Sequence, residues 1–349
     1  MCYNKVMNTQ KLLEQWLQKG LEEGTFPSAT AAVGRGAEVL AAACAGVTRQ
    51  GGPEVNLDTR YDMASCTKVL APTMIALKAI EEGLLTLDDT VGLFFDAPED
   101  KRDITVRMLM THTSGITPAF SLAEEATGPQ DVVRAVLTHP LEGTPGDAPR
   151  YSCMGYILLT KMLEALLGAP VNRLAQERVF APLGMASTGY LPTGDNIAAT
   201  EISRRTGKLI QGVVHDENAR FQGGVSGNAG VFSNVPDMIR FCEMLALGGK
   251  GYLAPATLQA AIRNRTPGFD THRGLGFHLA GVDANFMGDL FPVDSFGHTG
   301  FTGTSFAIDP HTGFYVILLT NRVHPTRENL KLMRFRRAFH NALYAACNR

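Results

Sequence analysis

The sequence predicts a mixed α/β (α+β) fold, with a sheet drawn from both ends of the chain, flanking helices and a mainly helical lobe inserted between. Three observations carry this expectation. Short runs rich in Ala and Val lie near the N-terminus, split by Gly34-Arg35-Gly36. Strand-like runs return only near residue 275, and the stretch between is apolar on the helical period. At 349 residues the chain exceeds the size, about 250–300 residues, at which one core stops growing. Residues 1–62 and 270–349 are therefore expected to form a sheet-containing lobe and residues 63–269 a mainly helical one. The active site is expected in the cleft between them.

The elements follow in order. Residues 9–23 place Leu12, Leu13, Trp16, Leu17 and Leu21 on one helical face. Residues 29–33 and 38–43 read as a hairpin. Helices are predicted over 66–82, 154–167 and 236–247, followed by Gly83, Gly168 and Gly248, because glycine accepts the left-handed turn that ends a helix. Pro72 lies inside the first of these and cannot donate to the Lys68 carbonyl, so a kink is expected there. Strands are predicted over 276–280, 305–309 and 313–320, then an amphipathic helix over 326–346.

Composition narrows the function classes. Hydrophobic residues make up 45% and charged residues 19%, which excludes a disordered chain. The net charge of −2, with both signs scattered, leaves no footprint for nucleic acid or a membrane surface. The six cysteines, at 2, 44, 66, 153, 242 and 347, show no C-x-x-C and read as free thiols. The first 20 residues hold no apolar signal core, and no run of about 18 apolar residues occurs, so a cytoplasmic protein is expected.

Nucleotide, dinucleotide, zinc-protease and G-x-S-x-G signatures are absent. What remains begins at Ser65-Cys66-Thr67-Lys68. If a helix starts here, this spacing puts hydroxyl and ammonium on one face, one turn apart. Such a lysine can take the serine proton, or hold a charge that assists another base. Tyr151-Ser152-Cys153 follows at a loop-to-helix junction, where a phenol can shuttle protons beside a cation or simply pack. Last comes Ser295-Phe296-Gly297-His298-Thr299-Gly300, whose small residues let a substrate approach the backbone. An N–H there can pair with that of Ser65 to hold an oxyanion.

Together, in this order, the three elements resemble the serine β-lactamase and penicillin-binding protein superfamily, nearest its class C-like branch. The phrases around Thr105–Gly115, Pro182–Met185, Val214–Ala219 and Gly223–Ser233 are similar to esterase and D-Ala-D-Ala carboxypeptidase-related serine hydrolases of that group. The likeness spans about residues 10–345. It implies a β-lactamase/transpeptidase-like fold with an antiparallel sheet, an acyl-enzyme, and no metal or organic cofactor. It implies Ser65 as nucleophile, Lys68 as its partner and Tyr151 as general base. The N–H groups of Ser65 and Phe301 would form the oxyanion hole, and Cys153, His298, Thr299 and Gly300 would line the substrate site. Two departures stand out. Cys153 occupies a place where the family often has Asn, and His298 one where its lactamases and peptidases usually have Lys.

The expectation is a serine hydrolase acting on a small-molecule ester, a small amide or a short peptide. A D-Ala-D-Ala carboxypeptidase or weak β-lactamase is the second reading, and a penicilloyl-binding sensor without turnover is a reading of another class. The sequence is silent on oligomeric state. His215, Asp216 and Glu217 are expected to brace a loop rather than bind metal, and the phrases around His112 and Pro182 to serve structure. Cys66 and Cys153, beside the site, are read as space-filling before redox-sensitive.

Overall fold

The computed structural model describes residues 2–281 and 285–348, with side chains from residue 8 onward; the Cys2 thiol therefore lies outside the described residues. The strands are β1 (Ser28–Arg35), β2 (Glu38–Gly46), β3 (Tyr61–Asp62), β4 (Gly189–Tyr190) and β5 (Val231–Ser233). They continue as β6 (His278–Leu279), β7 (Phe296–Thr299), β8 (Ser305–Ile308) and β9 (Phe314–Thr320). Six of them form one antiparallel sheet in the order β2-β1-β9-β8-β7-β6. The two ends of the chain meet where β1 pairs β9, with Ala31 opposite Leu318.

Both faces of this sheet are covered, so β9 reads as an unbroken apolar run instead of an alternating one. Successive residues of β1 and β9 serve opposite layers. Ala29, Ala31, Val33, Val316 and Leu318 pack against Leu13, Leu17, Phe335, Phe339 and Leu343 of the terminal helices, Cys2–Glu22 and Lys331–Cys347. Ala32, Ile317 and Leu319 join the larger core of the helical stretch. There the Phe241 ring, on the Val235–Ala246 helix, meets Phe306 edge-on at 5.7 Å.

Several predicted elements shift. The first helix begins at Cys2, ahead of the predicted residue 9. The last begins at Lys331, not 326, because the Arg322 guanidinium takes the Arg327 and Asn329 carbonyls at 3.1 and 2.8 Å and holds that stretch out of the helix. The predicted 276–280 strand shortens to β6, and the stretch read as mainly helical also contributes β4 and β5, which with β3 make a second small sheet. The predicted 66–82 helix is composite: a 3₁₀ turn Ala64–Cys66, a π segment Val69–Thr73 and an α-helix Met74–Glu81. The π segment encloses Pro72, where the wider turn accommodates a residue that has no N–H to donate. The Cys153–Leu167 helix ends as expected at Gly168, whose φ is 67°.

Candidate active site

The turn that carries Ser65 is held from three sides. β3 pairs with β5, and the Met63 N–H donates to the Val231 carbonyl at 2.9 Å. Ala64, immediately before Ser65, has a φ of 44°, a strained value for a residue with a Cβ. Asp62, 2% exposed, stabilises that turn by accepting the Ala64 N–H at 2.8 Å and the His215 N–H at 2.6 Å. The Thr302 hydroxyl donates to the Asp62 carbonyl at 2.7 Å and the Thr304 hydroxyl to the Met63 carbonyl at 3.1 Å. Asp62 thus ties together the turn carrying Ser65, the His215 loop and the turn carrying Phe301. Burial raises the Asp62 carboxyl, while its two backbone bonds oppose the rise. Asp62→Ala is expected to leave two buried donors unpaired and cost about 3 kcal/mol, with Asp62→Asn costing less; denaturant unfolding measures both.

Ser65 and Lys68 meet as the spacing predicts: Lys68 Nζ donates to Ser65 Oγ at 3.0 Å. The lysine is fully buried and also donates to the Asn228 carbonyl at 3.0 Å and to Cys153 Sγ at 3.4 Å. It lies 4.9 Å from the centre of the Tyr151 ring. Burial alone would lower the Lys68 ammonium, but the Cys153 sulfur, the Tyr151 oxygen and the Asp216 carboxylate together hold it above its ordinary value. For Tyr151 burial dominates and raises the phenol, against the pull of the Lys68 cation. The Tyr151 hydroxyl feels both Lys68 and Ser65, yet it makes no hydrogen bond of acceptable geometry with either. Ser152 caps the helix that follows, its Oγ accepting the Gly155 N–H at 2.9 Å, and this fixes Tyr151 one residue ahead of the cap.

The third segment is the end of β7 and the turn into β8. His298 Nδ1 donates to the Thr299 carbonyl at 2.8 Å, which leaves Nε2 without a partner. Burial, then Lys68 and Arg273, lower the His298 imidazolium well below its usual range, so the ring is neutral. A Cβ on Gly300 would lie 2.5 Å from the Met63 carbonyl, so only glycine allows this turn to touch the turn carrying Ser65. Phe301 falls in the turn after β7. Its N–H donates to no backbone carbonyl among the described residues. Its ring stacks on His215 at 5.6 Å and lies 4.8 Å from the Arg322 guanidinium.

Sequence reasoning missed four site neighbours. Asn228 presents its backbone carbonyl to Lys68; the glycine-rich phrase around it was the only hint. His112 ends the short Val106–Met110 helix, and its ring also packs 4.4 Å from that of Tyr151 while Nδ1 accepts the Ser152 N–H at 3.1 Å. His278 packs 4.5 Å from His298, and the Arg273 guanidinium lies 5.3 Å from the Tyr151 ring centre. No local pattern marks His278 or Arg273, because they come from a two-residue strand and a turn distant in sequence from the other site segments. Burial lowers His112, His278 and His298 well below the usual imidazole range and His340 to about 3. An unfolded chain protonates them near pH ~6.5, so their folded-state contribution is intact above that pH and lost below it. Thermal unfolding is expected to show stability falling as pH drops below about 6.5, by up to about 1.4 kcal/mol per pH unit for each such histidine.

His215, Asp216 and Glu217 brace their loop. His215 Nε2 contacts the Glu201 carboxylate at 2.9 Å, Asp216 caps the Glu217–Phe221 helix, and Arg327 bonds Glu217 at 2.7 Å. Cys44, Cys66, Cys153 and Cys242 are free thiols, and Cys347 Sγ lies 3.8 Å from Thr9 Oγ1; Cys66 is buried, with its thiol pushed up to about 12. Among the described residues no single helix is long and apolar enough to cross a membrane.

Comparison with known proteins places this geometry. The family model described as Beta-lactamase matches residues 13–340. A protein of Escherichia coli (strain K12), provisionally named a D-alanyl-D-alanine carboxypeptidase, is 31% identical over 302 residues, 76% of this chain and 70% of that protein. The structure of EstCE1, described as a hydrolase with promiscuous acyltransferase activity, superposes with a TM-score of 0.81 at 24% identity, covering 97% of this chain and 99% of that one. An octameric penicillin-binding protein homologue from Pyrococcus abyssi superposes at 0.74 and 20% identity, over 95% of this chain and 75% of that one.

Proposed function

This chain belongs to the β-lactamase family of serine hydrolases, and from that premise we propose that it cleaves a small ester or amide through an acyl group carried on Ser65. The observation that carries the assignment is the 3.0 Å hydrogen bond from the fully buried Lys68 ammonium to Ser65 Oγ. Ser65 Oγ attacks the substrate carbonyl as its proton passes to the Lys68–Tyr151 pair. The N–H groups of Ser65 and Phe301 hold the oxyanion. The pair then protonates the leaving alcohol or amine, and the C–O or C–N bond breaks. A water enters, gives its proton to the pair, attacks the acyl carbon and releases the acid, while the proton returns to Ser65. Lys68 and Tyr151 titrate as one unit. Since both directions of shift favour their protonated forms, the unit sheds a proton before it works, and kcat/KM rises with pH on the acid side.

Ester cleavage is favoured over peptide or β-lactam cleavage by two features of the lining. His298 is neutral, so the strand motif brings no positive charge to a substrate carboxylate. Cys153 sits where an amide side chain would grip a substrate amide, and its thiol is a weak partner. The carboxypeptidase reading rests on the name of the Escherichia coli relative. A panel of a p-nitrophenyl ester, a peptide ending in D-Ala-D-Ala and a chromogenic cephalosporin, with Ser65→Ala as blank, decides among them. Release of D-Ala at rates above ester turnover would transfer the assignment to a carboxypeptidase. A penicilloyl adduct that never clears would make it a sensor.

A further inference from the structure

We propose that Arg273 is the second fixed positive charge of the active site, a positioning residue that keeps the Lys68–Tyr151 pair ready to take the Ser65 proton. This rests on the reading of Tyr151 as a proton-moving group.

The Arg273 side chain lies in the interior with no acidic partner: the residue is 6% exposed, and its Nε and Nη1 have no hydrogen-bond acceptor among the described residues. A buried guanidinium without an anion is costly, so something must favour it there. Its guanidinium carbon lies 5.3 Å from the Tyr151 ring centre, and Tyr151 is the foremost group that sustains its charge against burial. The backbone fixes this position. The Arg273 N–H donates to Thr266 Oγ1 at 3.0 Å, the Arg273 carbonyl accepts the Arg265 N–H at 2.7 Å, and a bridge joins Arg273 to His278 of β6.

The other groups around Tyr151 do not supply that charge. His112 from the turn after Val106–Met110, His278 from β6 and His298 from β7 are all neutral, and Tyr156 and Cys153 come from the following helix. Among the described residues only Lys68 and Arg273 are cations beside the ring. With His298 uncharged, the strand motif gives Tyr151 no positive charge of its own. Arg273 reaches the same phenol from a different turn.

The test uses p-nitrophenyl butyrate, which bears no carboxylate, and the pH profile of kcat/KM for wild type, Arg273→Gln, Arg273→Met and Arg273→Lys. Removing the charge is expected to move the acidic limb upward by about one pH unit, a roughly tenfold loss of rate below the limb, and Arg273→Lys to recover most of it. Ultraviolet titration of tyrosinate, taken as the difference between each chain and its Tyr151→Phe counterpart, should shift in the same direction without reference to activity. Superimposable profiles, or a change in KM alone, would overturn the assignment. Full turnover by Tyr151→Phe would remove its premise instead, whereas an inactive Tyr151→Phe beside an unmoved Arg273→Gln profile would sink the role of Arg273 alone.

Discussion

Ser65→Ala is expected to reduce ester turnover to the uncatalysed background, a loss of roughly 10³-fold or more, while leaving the fold intact. The hydroxyl oxygen is the only heavy atom removed, and it is the atom proposed to carry the acyl group. Its strained turn does not depend on it: the bonds that hold Ala64 at a φ of 44° come from Asp62, Val231, Thr302 and Thr304. Two measurements separate chemistry from folding. Intact mass after incubation with an ester or a penicillin should show an acyl adduct on wild type and none on the variant. Thermal unfolding should agree between the two within about 1 kcal/mol. An adduct that persists in Ser65→Ala would locate the nucleophile elsewhere, with Cys153 the first place to look.

Lys68→Met carries the second large effect. Methionine is close to lysine in volume and fits a buried slot, so packing is preserved while the ammonium is lost. Turnover is expected to fall by about 10²–10⁴-fold, the range for removing a positioned proton-transfer group, mainly in kcat. Lys68→Arg should not restore it. The guanidinium is planar, larger and not deprotonated, whereas Lys68 makes three separate contacts, to Ser65, Cys153 and Asn228, with three rotatable donors. Stability should change little in Lys68→Met. A buried cation with no directly bonded carboxylate is expensive to keep, and removing it offsets the unpaired Asn228 carbonyl it leaves behind. Pre-steady-state release of p-nitrophenol distinguishes slow acylation from slow deacylation. A wild-type acylation burst in Lys68→Met would assign proton removal to another group.

Much of the fold was legible because it rests on short-range rules. The Ala- and Val-rich runs around Gly34-Arg35-Gly36 do form β1 and β2, and Gly168 does end its helix in a left-handed turn. The final strand was legible from its apolar run, since both faces of β9 are covered. Most of the failures share one cause. β4 and β5, which were not foreseen, and β6, which is shorter than predicted, are two to three residues long, too short for any periodicity, and exist because neighbouring strands offer hydrogen bonds. The first turn of the C-terminal helix was lost to the Arg322 guanidinium, a contact no window of sequence could anticipate.

The site divides along the same line. By itself the sequence supplied the residue types proposed to carry the chemistry and their order: Ser65 and Lys68 one helical turn apart, Tyr151 at a helix head, and small residues beside His298. The Ser65–Lys68 pairing follows from helix geometry, which is local, while the roles of Tyr151 and the His298 segment follow from the resemblance their order carries. Only the tertiary structure decided the electrostatics. Whether His298 carries charge depends on its burial beside Lys68 and Arg273, and a phenolate at Tyr151 is favoured by Lys68 and, as proposed, by Arg273, which lies 122 residues further along the chain. Charge interactions act through space at distances of a few ångströms, and sequence separation sets no limit on them.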